Sequence, residues 1–144
     1  MKISTKGRYA VRVMVDLAMS DPNQLVKVKD IAKRQAISEK YLEQIIATLN
    51  RAGIVKSARG AHGGYRLAKD PGEYTVLEIL RLTEGSMAPV ACLEDEENQC
   101  EHYNTCASIE VWEGLYEVIC NYLKNITIGE LARKQKDRLT GNGI

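Results

Sequence analysis

Cys92, Cys100 and Cys106 sit in one acidic stretch of this 144-residue chain, spaced C-x7-C-x5-C, with His102 between the last two. Deprotonated thiols are soft anionic donors suited to zinc or iron–sulfur ligation, and an imidazole beside them is chemically able to add a fourth ligand. The tight C-x2-C pairs of zinc ribbons and bacterial ferredoxins are absent from the sequence, so spacing alone leaves both metals open. The segment 86–105 lacks aliphatic periodicity, and so long a loop in so small a chain would be better ordered around an ion. Three free thiols in a loose loop are the simpler alternative. Cys120 falls inside a later apolar run and reads as a small buried core residue.

The segments flanking this loop must position it. On the N-terminal side, Thr5 is placed to cap a helix in which Tyr9, Val13, Leu17 and Ala10, Met14, Ala18 recur at helical spacing up to Ser20-Asp21-Pro22. Residues 28–34 have the spacing of a short helix, 35–38 break it, and Ser38 caps a third helix with Leu42, Ile45, Ile46 and Leu49 on one face. Two short helices joined by such a turn form a helix-turn-helix. Residues 54–57 and 65–67 are β-type runs joined by a Gly-rich basic tip, which predicts a wing hairpin. A further short helix carries Val76, Ile79 and Leu80 and stops at Gly85.

On the C-terminal side, residues 106–126 carry two apolar stripes. Ile109, Trp112, Tyr116, Ile119, Leu123 and Ile126 form one, and Val111, Leu115, Val118 and Tyr122 the other. A helix apolar on two sides needs two partners, and a domain this small has little interior to cover both, so we expect a homodimer. Core burial of both stripes is the alternative. The expected fold class is mainly α: a winged helix-turn-helix head over 1–83 with a small β-hairpin wing, a cysteine loop over 84–105, a long dimerisation helix and short return helix over 106–136, and a flexible tail over 137–144.

Charge separates the same two ends. Residues 1–70 carry 14 Lys or Arg against 6 Asp or Glu, whereas residues 71–144 carry 6 against 13, giving +8 and −7. A basic half attracts polyanions and an acidic half orients the molecule on them, which favours double-stranded DNA over a membrane surface. With Leu42, Ile45, Ile46 and Leu49 inward, the third helix offers Lys40, Glu43 and Gln44 to base edges, with Tyr41 near its border. Lys6, Arg8, Lys29, Lys33 and Arg51 are placed as phosphate contacts. Arg59, followed by Gly60, sits on a thin loop of the kind that enters an A·T-rich minor groove; a solvated turn arginine is the plain alternative.

Every apolar stretch is interrupted by charge, proline or glycine before it approaches transmembrane length, and the N-terminus lacks signal-peptide character, so the expected location is the cytoplasm. In a reducing cytosol four cysteines are seldom structural disulfides. No nucleophile–base pair or cofactor fingerprint appears, which argues against an enzyme.

The segments KGRYAVRVMVDLA (6–18), ISEKYLEQIIATLNRAGIVKSARG (37–60), GGYRLAKD (63–70) and NITIGEL (125–131) together resemble the winged-helix iron–sulfur regulators of the IscR type, with NsrR-type nitric oxide sensors and CymR-type cysteine-metabolism repressors as cousins. The resemblance implies a dimeric DNA-binding regulator, in keeping with a repressor, of iron–sulfur biogenesis or cysteine-supply genes. It implies that Lys40, Glu43 and Gln44 face bases and that Arg59 enters the minor groove. It also implies a 2Fe-2S cluster on Cys92, Cys100 and Cys106, delivered by the iron–sulfur assembly machinery. The fourth ligand does not carry over. Ile109 stands where IscR-type proteins have a histidine, and Arg8 where the NsrR type has an aspartate. His102 is the nearest candidate by chemistry, with Glu101 or a partner-chain group behind it. Ala36 replaces the usual turn glycine, Lys40 a familiar serine, and His62 lies in a normally glycine-rich wing. Sensing of nitric oxide or thiol redox state, or a structural zinc site with His102, are the alternatives within this fold; an iron–sulfur redox enzyme is the more distant one.

Overall fold

The computed structural model describes residues 2–141. Helix α1 spans Thr5–Met19. Its cap is Ser4, one residue before the expected Thr5: extended backbone at Ser4 aims its hydroxyl at the Gly7 amide, which donates to it at 2.9 Å. Helix α2 covers Val28–Gln35 and α3 covers Glu39–Arg51, the latter capped by the Ser38 hydroxyl accepting from the Tyr41 amide at 3.1 Å. Between them Ala36 is left-handed, with φ 54° and ψ 44°, and is the only non-glycine residue with positive φ among those described. Such a conformation costs an alanine about 1 kcal/mol, so the turn carries local strain.

Strands β1 (Val55–Ala58) and β2 (Gly64–Leu67) pair antiparallel with Val55 opposite Leu67 and Ala58 opposite Gly64, which makes the predicted wing. A single bridge from Val26 to Tyr65 ties the wing to the segment entering α2. Helix α4 (Val76–Glu84) begins with a reciprocal cap between Thr75 and Glu78. A short 3-10 turn at Pro71–Glu73 leads into it.

Helix α5 runs Ile109–Lys124, three residues later than the periodicity predicts, because 106–108 form a tight turn in which the Ile109 amide reaches the Cys106 carbonyl at 3.3 Å. Helix α6 runs Ile128–Leu139, so the helix continues into the stretch expected to be a flexible tail. Thr140 and Gly141 form a turn after it, and the rest of that stretch, residues 142–144, lies outside the described residues.

The core is built around α1. Ala10, Val13 and Met14 are sealed from solvent together with Ile31, Leu42, Ile45, Leu49, Ile79 and Ile128. The four apolar positions predicted for α3 are thus all buried. Ile128 of α6 belongs to this same core, Ala132 is buried on the same helix, and α6 packs on α1. The junction between α5 and α6 is stitched to α4: the Val76 amide donates to the Ile126 carbonyl, and the Ile128 amide to the Tyr74 carbonyl, each at 2.9 Å.

Candidate nucleic-acid interface and cysteine loop

Burial of Leu42, Ile45, Ile46 and Leu49 turns the opposite face of α3 outward, and Lys40, Glu43 and Gln44 are all exposed there. Tyr41 is half-buried, as its border position requires. Lys29 and Lys33 on α2, Arg8 on α1 and Arg51 at the end of α3 are exposed cations; Lys6 is half-buried. Arg59 and Gly60 are exposed at the wing tip, with Gly60 at φ 108°. The structure therefore brings the base-facing candidates onto one helix face and puts the wing arginine on a projecting hairpin.

A set of polar contacts ties α1 to the end of α2, just before α3. Asp16, buried on α1, accepts from Arg34 Nη2 at 2.8 Å and Nε at 3.0 Å, and from Gln35 Nε2 at 2.8 Å. The hydrogen bond to this carboxylate foremost holds the Arg34 guanidinium above its ordinary pKa. Arg12, one turn earlier on α1, also reaches Gln35. Tyr9 meets Tyr41 of α3 edge to face, ring centroids 6.0 Å apart.

The cysteine loop connects α4 to α5. Cys92 and Cys100 are exposed and Cys106 is half-buried. Asn98 links the first two: its Nδ2 donates to the Cys92 carbonyl at 3.0 Å and its Oδ1 accepts from the Cys100 amide at 2.8 Å. Cys106 Sγ lies 3.1 Å from the Ser108 hydroxyl, which foremost, with the Ile109 amide, pulls this thiol below its ordinary pKa. A lowered thiol pKa favours the thiolate, the form that binds metals and reacts with oxidants. Tyr103 donates to Glu113 Oε1 at 2.9 Å and pins the loop's last turn to α5.

Among the described residues no three Cys, His, Asp or Glu side chains converge as a metal would require. The donors fit iron–sulfur or zinc in kind, being three thiols on one loop with a fourth group nearby, but drawing them onto one ion requires 86–105 to close. His102 is exposed and caps the 103–105 turn through its carbonyl; Ile109 is buried and Arg8 sits on α1, so neither offers a ligand. Cys120 is half-buried on α5, packed against the core with Arg81 Nη2 3.8 Å from its sulfur, and so less enclosed than the core residue expected.

With this geometry in hand, the Rrf2 profile, described as an iron-dependent transcriptional regulator, matches residues 3–134. The chain belongs to the Rrf2 family. It is 41% identical over 132 residues to the helix-turn-helix transcriptional regulator CymR of Bacillus subtilis, covering 92% of this chain and 90% of that protein. It is 38% identical over 136 residues to the regulator IscR of Klebsiella pneumoniae, covering 94% and 82% respectively. Among solved structures, CymR, the global cysteine regulator of B. subtilis, superposes with a TM-score of 0.76 at 39% identity, covering 92% of this chain and 97% of that one. T. potens IscR superposes at 0.75 with 38% identity, covering 94% and 88%.

As an Rrf2 protein the chain is a winged helix-turn-helix transcriptional regulator, and its exposed α3 face and wing are the parts with the shape and charge to meet DNA. Sequence reading found those parts but missed Arg12, Asp16, Gln35 and Asn98. One signal was available for Asp16: a carboxylate at a position that the apolar spacing of α1 turns inward. None of the described helices of this Rrf2 protein is long and apolar enough to cross a membrane.

Proposed function

We propose that this Rrf2 regulator is a cytoplasmic homodimer that binds a double-stranded DNA operator, acts as a repressor, and responds to a 2Fe-2S cluster held by Cys92, Cys100 and Cys106. The observation that carries this is placement. Three thiols, two exposed and one half-buried, lie on one loop between the winged head and a helix whose second stripe, Val111, Leu115, Val118 and Tyr122, is exposed. Such a stripe on so small a protein fits a second copy of the chain. The cluster, delivered by the iron–sulfur assembly machinery, would supply a labile ligand set whose presence reports iron–sulfur status. Targets in iron–sulfur biogenesis or cysteine supply follow from the kinship with IscR and CymR.

The chain's own part in such a switch is mechanical. Tyr103 fastens the loop to α5 through Glu113, and α5 leads through Ile126 and Ile128 to the start of α4 and thus to the head. A change in loop order has a covalent and hydrogen-bonded route to the spacing of two α3 helices across a dimer, which must match half-sites in register. His102 is the nearest fourth donor within the loop.

A second reading, thiol sensing without a cluster, is favoured by the lowered pKa of Cys106 and by the 41% identity to CymR. Anaerobic purification followed by iron and sulfide analysis separates the two. Equal iron and sulfide, lost in Cys92→Ala together with the colour while the dimer persists, supports the cluster. Zinc without sulfide indicates a structural site, and protein free of both after reconstitution leaves the thiol sensor.

A further inference from the structure

Beside the Asp16–Arg34 fork, Arg12 is the second α1 side chain that reaches the end of α2. It is an exposed cation on the basic half of the protein, the kind of residue that on charge alone would be taken for a phosphate contact. Its geometry says otherwise. Nε donates to Gln35 Oε1 at 3.0 Å, Nη2 donates to the Gln35 carbonyl at 3.2 Å, and the guanidinium carbon lies 4.9 Å from the centroid of the Tyr9 ring. Two donors and one face of a single guanidinium are therefore committed to the protein.

The residues it touches are the ones that set the helix-turn-helix. Gln35 is the last residue of α2 and immediately precedes Ala36, whose left-handed backbone is strained. Tyr9, under Arg12, presents its ring at 87° to Tyr41, in the first turn of α3 and adjacent to Lys40. One side chain thus holds the end of the first arm directly and the beginning of the second through an aromatic pair.

We propose that Arg12 is a positioning residue for the recognition helix: it fixes the angle of α3 against α1 and so governs base discrimination without itself contacting DNA. Base-edge hydrogen bonds tolerate only small displacements, so relaxing this brace weakens sequence-specific contacts while leaving the phosphate contacts of the lysines intact. Lysine cannot replace it. A point ammonium lacks the planar fork that engages Gln35 twice while lying on Tyr9.

This inference rests on the reading of the protein as a sequence-specific DNA binder, and the test keeps the two apart. Wild-type full-length protein, purified anaerobically, is first used to enrich a duplex from a randomised pool. Failure to enrich any sequence would count against the DNA-binding reading itself. Dissociation constants of wild type, Arg12→Ala and Arg12→Lys are then measured across a salt series on the enriched duplex and on a scrambled duplex of the same composition.

The expected result is a loss of about tenfold on the enriched duplex for both variants, with scrambled-duplex affinity and salt slope unchanged, since only base-edge contacts depend on the sequence. A phosphate contact would instead weaken both duplexes alike, lower the slope by about one, and be restored by lysine. Loss of fold would also weaken both alike. Any equal loss on the two duplexes, or no loss, overturns the proposal.

Discussion

Arg34 forks onto Asp16 across the α1–α2 contact, with Nη2 2.8 Å from Oδ1 and Nε 3.0 Å from Oδ2, yet the two ends of the pair are unequally wet: the carboxylate side chain is 4% exposed and the guanidinium 49%. The asymmetry predicts unequal consequences. Removing Asp16 leaves a half-exposed arginine that water can satisfy, at a cost of about 1 kcal/mol. Removing Arg34 leaves a buried carboxylate with Gln35 as its remaining partner, at a cost of about 3 kcal/mol. Urea unfolding of Asp16→Ala and Arg34→Ala should therefore rank the arginine variant as the less stable; the reverse order would mean that the carboxylate gains water freely.

Tyr74, buried at the start of α4, donates from its hydroxyl to the Ile54 carbonyl at 3.2 Å. That carbonyl also accepts from the Ala68 amide at 3.0 Å, so Tyr74→Phe orphans no acceptor and should cost about 1 kcal/mol. Burial, foremost, raises the phenol above its ordinary pKa of about 10. Below that value both folded and unfolded chains hold the proton and pH has no effect through this group. Above it the unfolded chain releases the proton first, so stability falls as pH rises through the folded pKa. Melting curves across that alkaline window should show a fall in wild type that is reduced in Tyr74→Phe.

Gly64 opens β2 with φ 155°, and a Cβ there would lie 2.5 Å from the Val26 carbonyl oxygen, backbone against side chain with no rotamer to escape into. Gly64→Ala should cost about 3 kcal/mol and loosen the Val26–Tyr65 bridge that roots the wing. Gly60, at φ 108°, has nothing within 4 Å of the same position, so Gly60→Ala should cost only the backbone strain of about 1 kcal/mol. Thermal melting of the two variants side by side separates crowding from strain.

Val118 is 65% exposed on the outer stripe of α5, so a charge there disturbs little of a single chain's fold, about 0.5 kcal/mol or less. If that stripe is the interface between two copies, Val118→Glu should shift the protein from dimer to monomer by sedimentation while its far-ultraviolet spectrum stays unchanged. A dimer that survives the substitution would place the interface elsewhere.

The helix-turn-helix was legible because its signals are local. Ser38 followed by Leu42, Ile45, Ile46 and Leu49 states a cap and a face within a dozen residues, and the structure buries all four. Ser4 and Thr5 are both good caps side by side, and only the backbone angle at Ser4 decides between them. The contacts of Arg12, Asp16 and Arg34 join residues about twenty positions apart through polar groups that leave no periodic trace. In the cysteine loop the thiols could be read but not their arrangement, because Asn98, which ties the backbones of Cys92 and Cys100, and Ser108, which meets the Cys106 thiol, are ordinary loop residues until their partners are seen.

Helix α6 packs on α1, and its Ile128 sits wholly inside the core that supports α3. The helix-turn-helix core is thus completed only after residues 128–139 have been made: until they emerge, α1 has an uncovered apolar flank and the core is open. A chain interrupted after the wing would carry all of α3 and still lack the packing that holds it, so a prematurely terminated product would be a ready substrate for proteolysis.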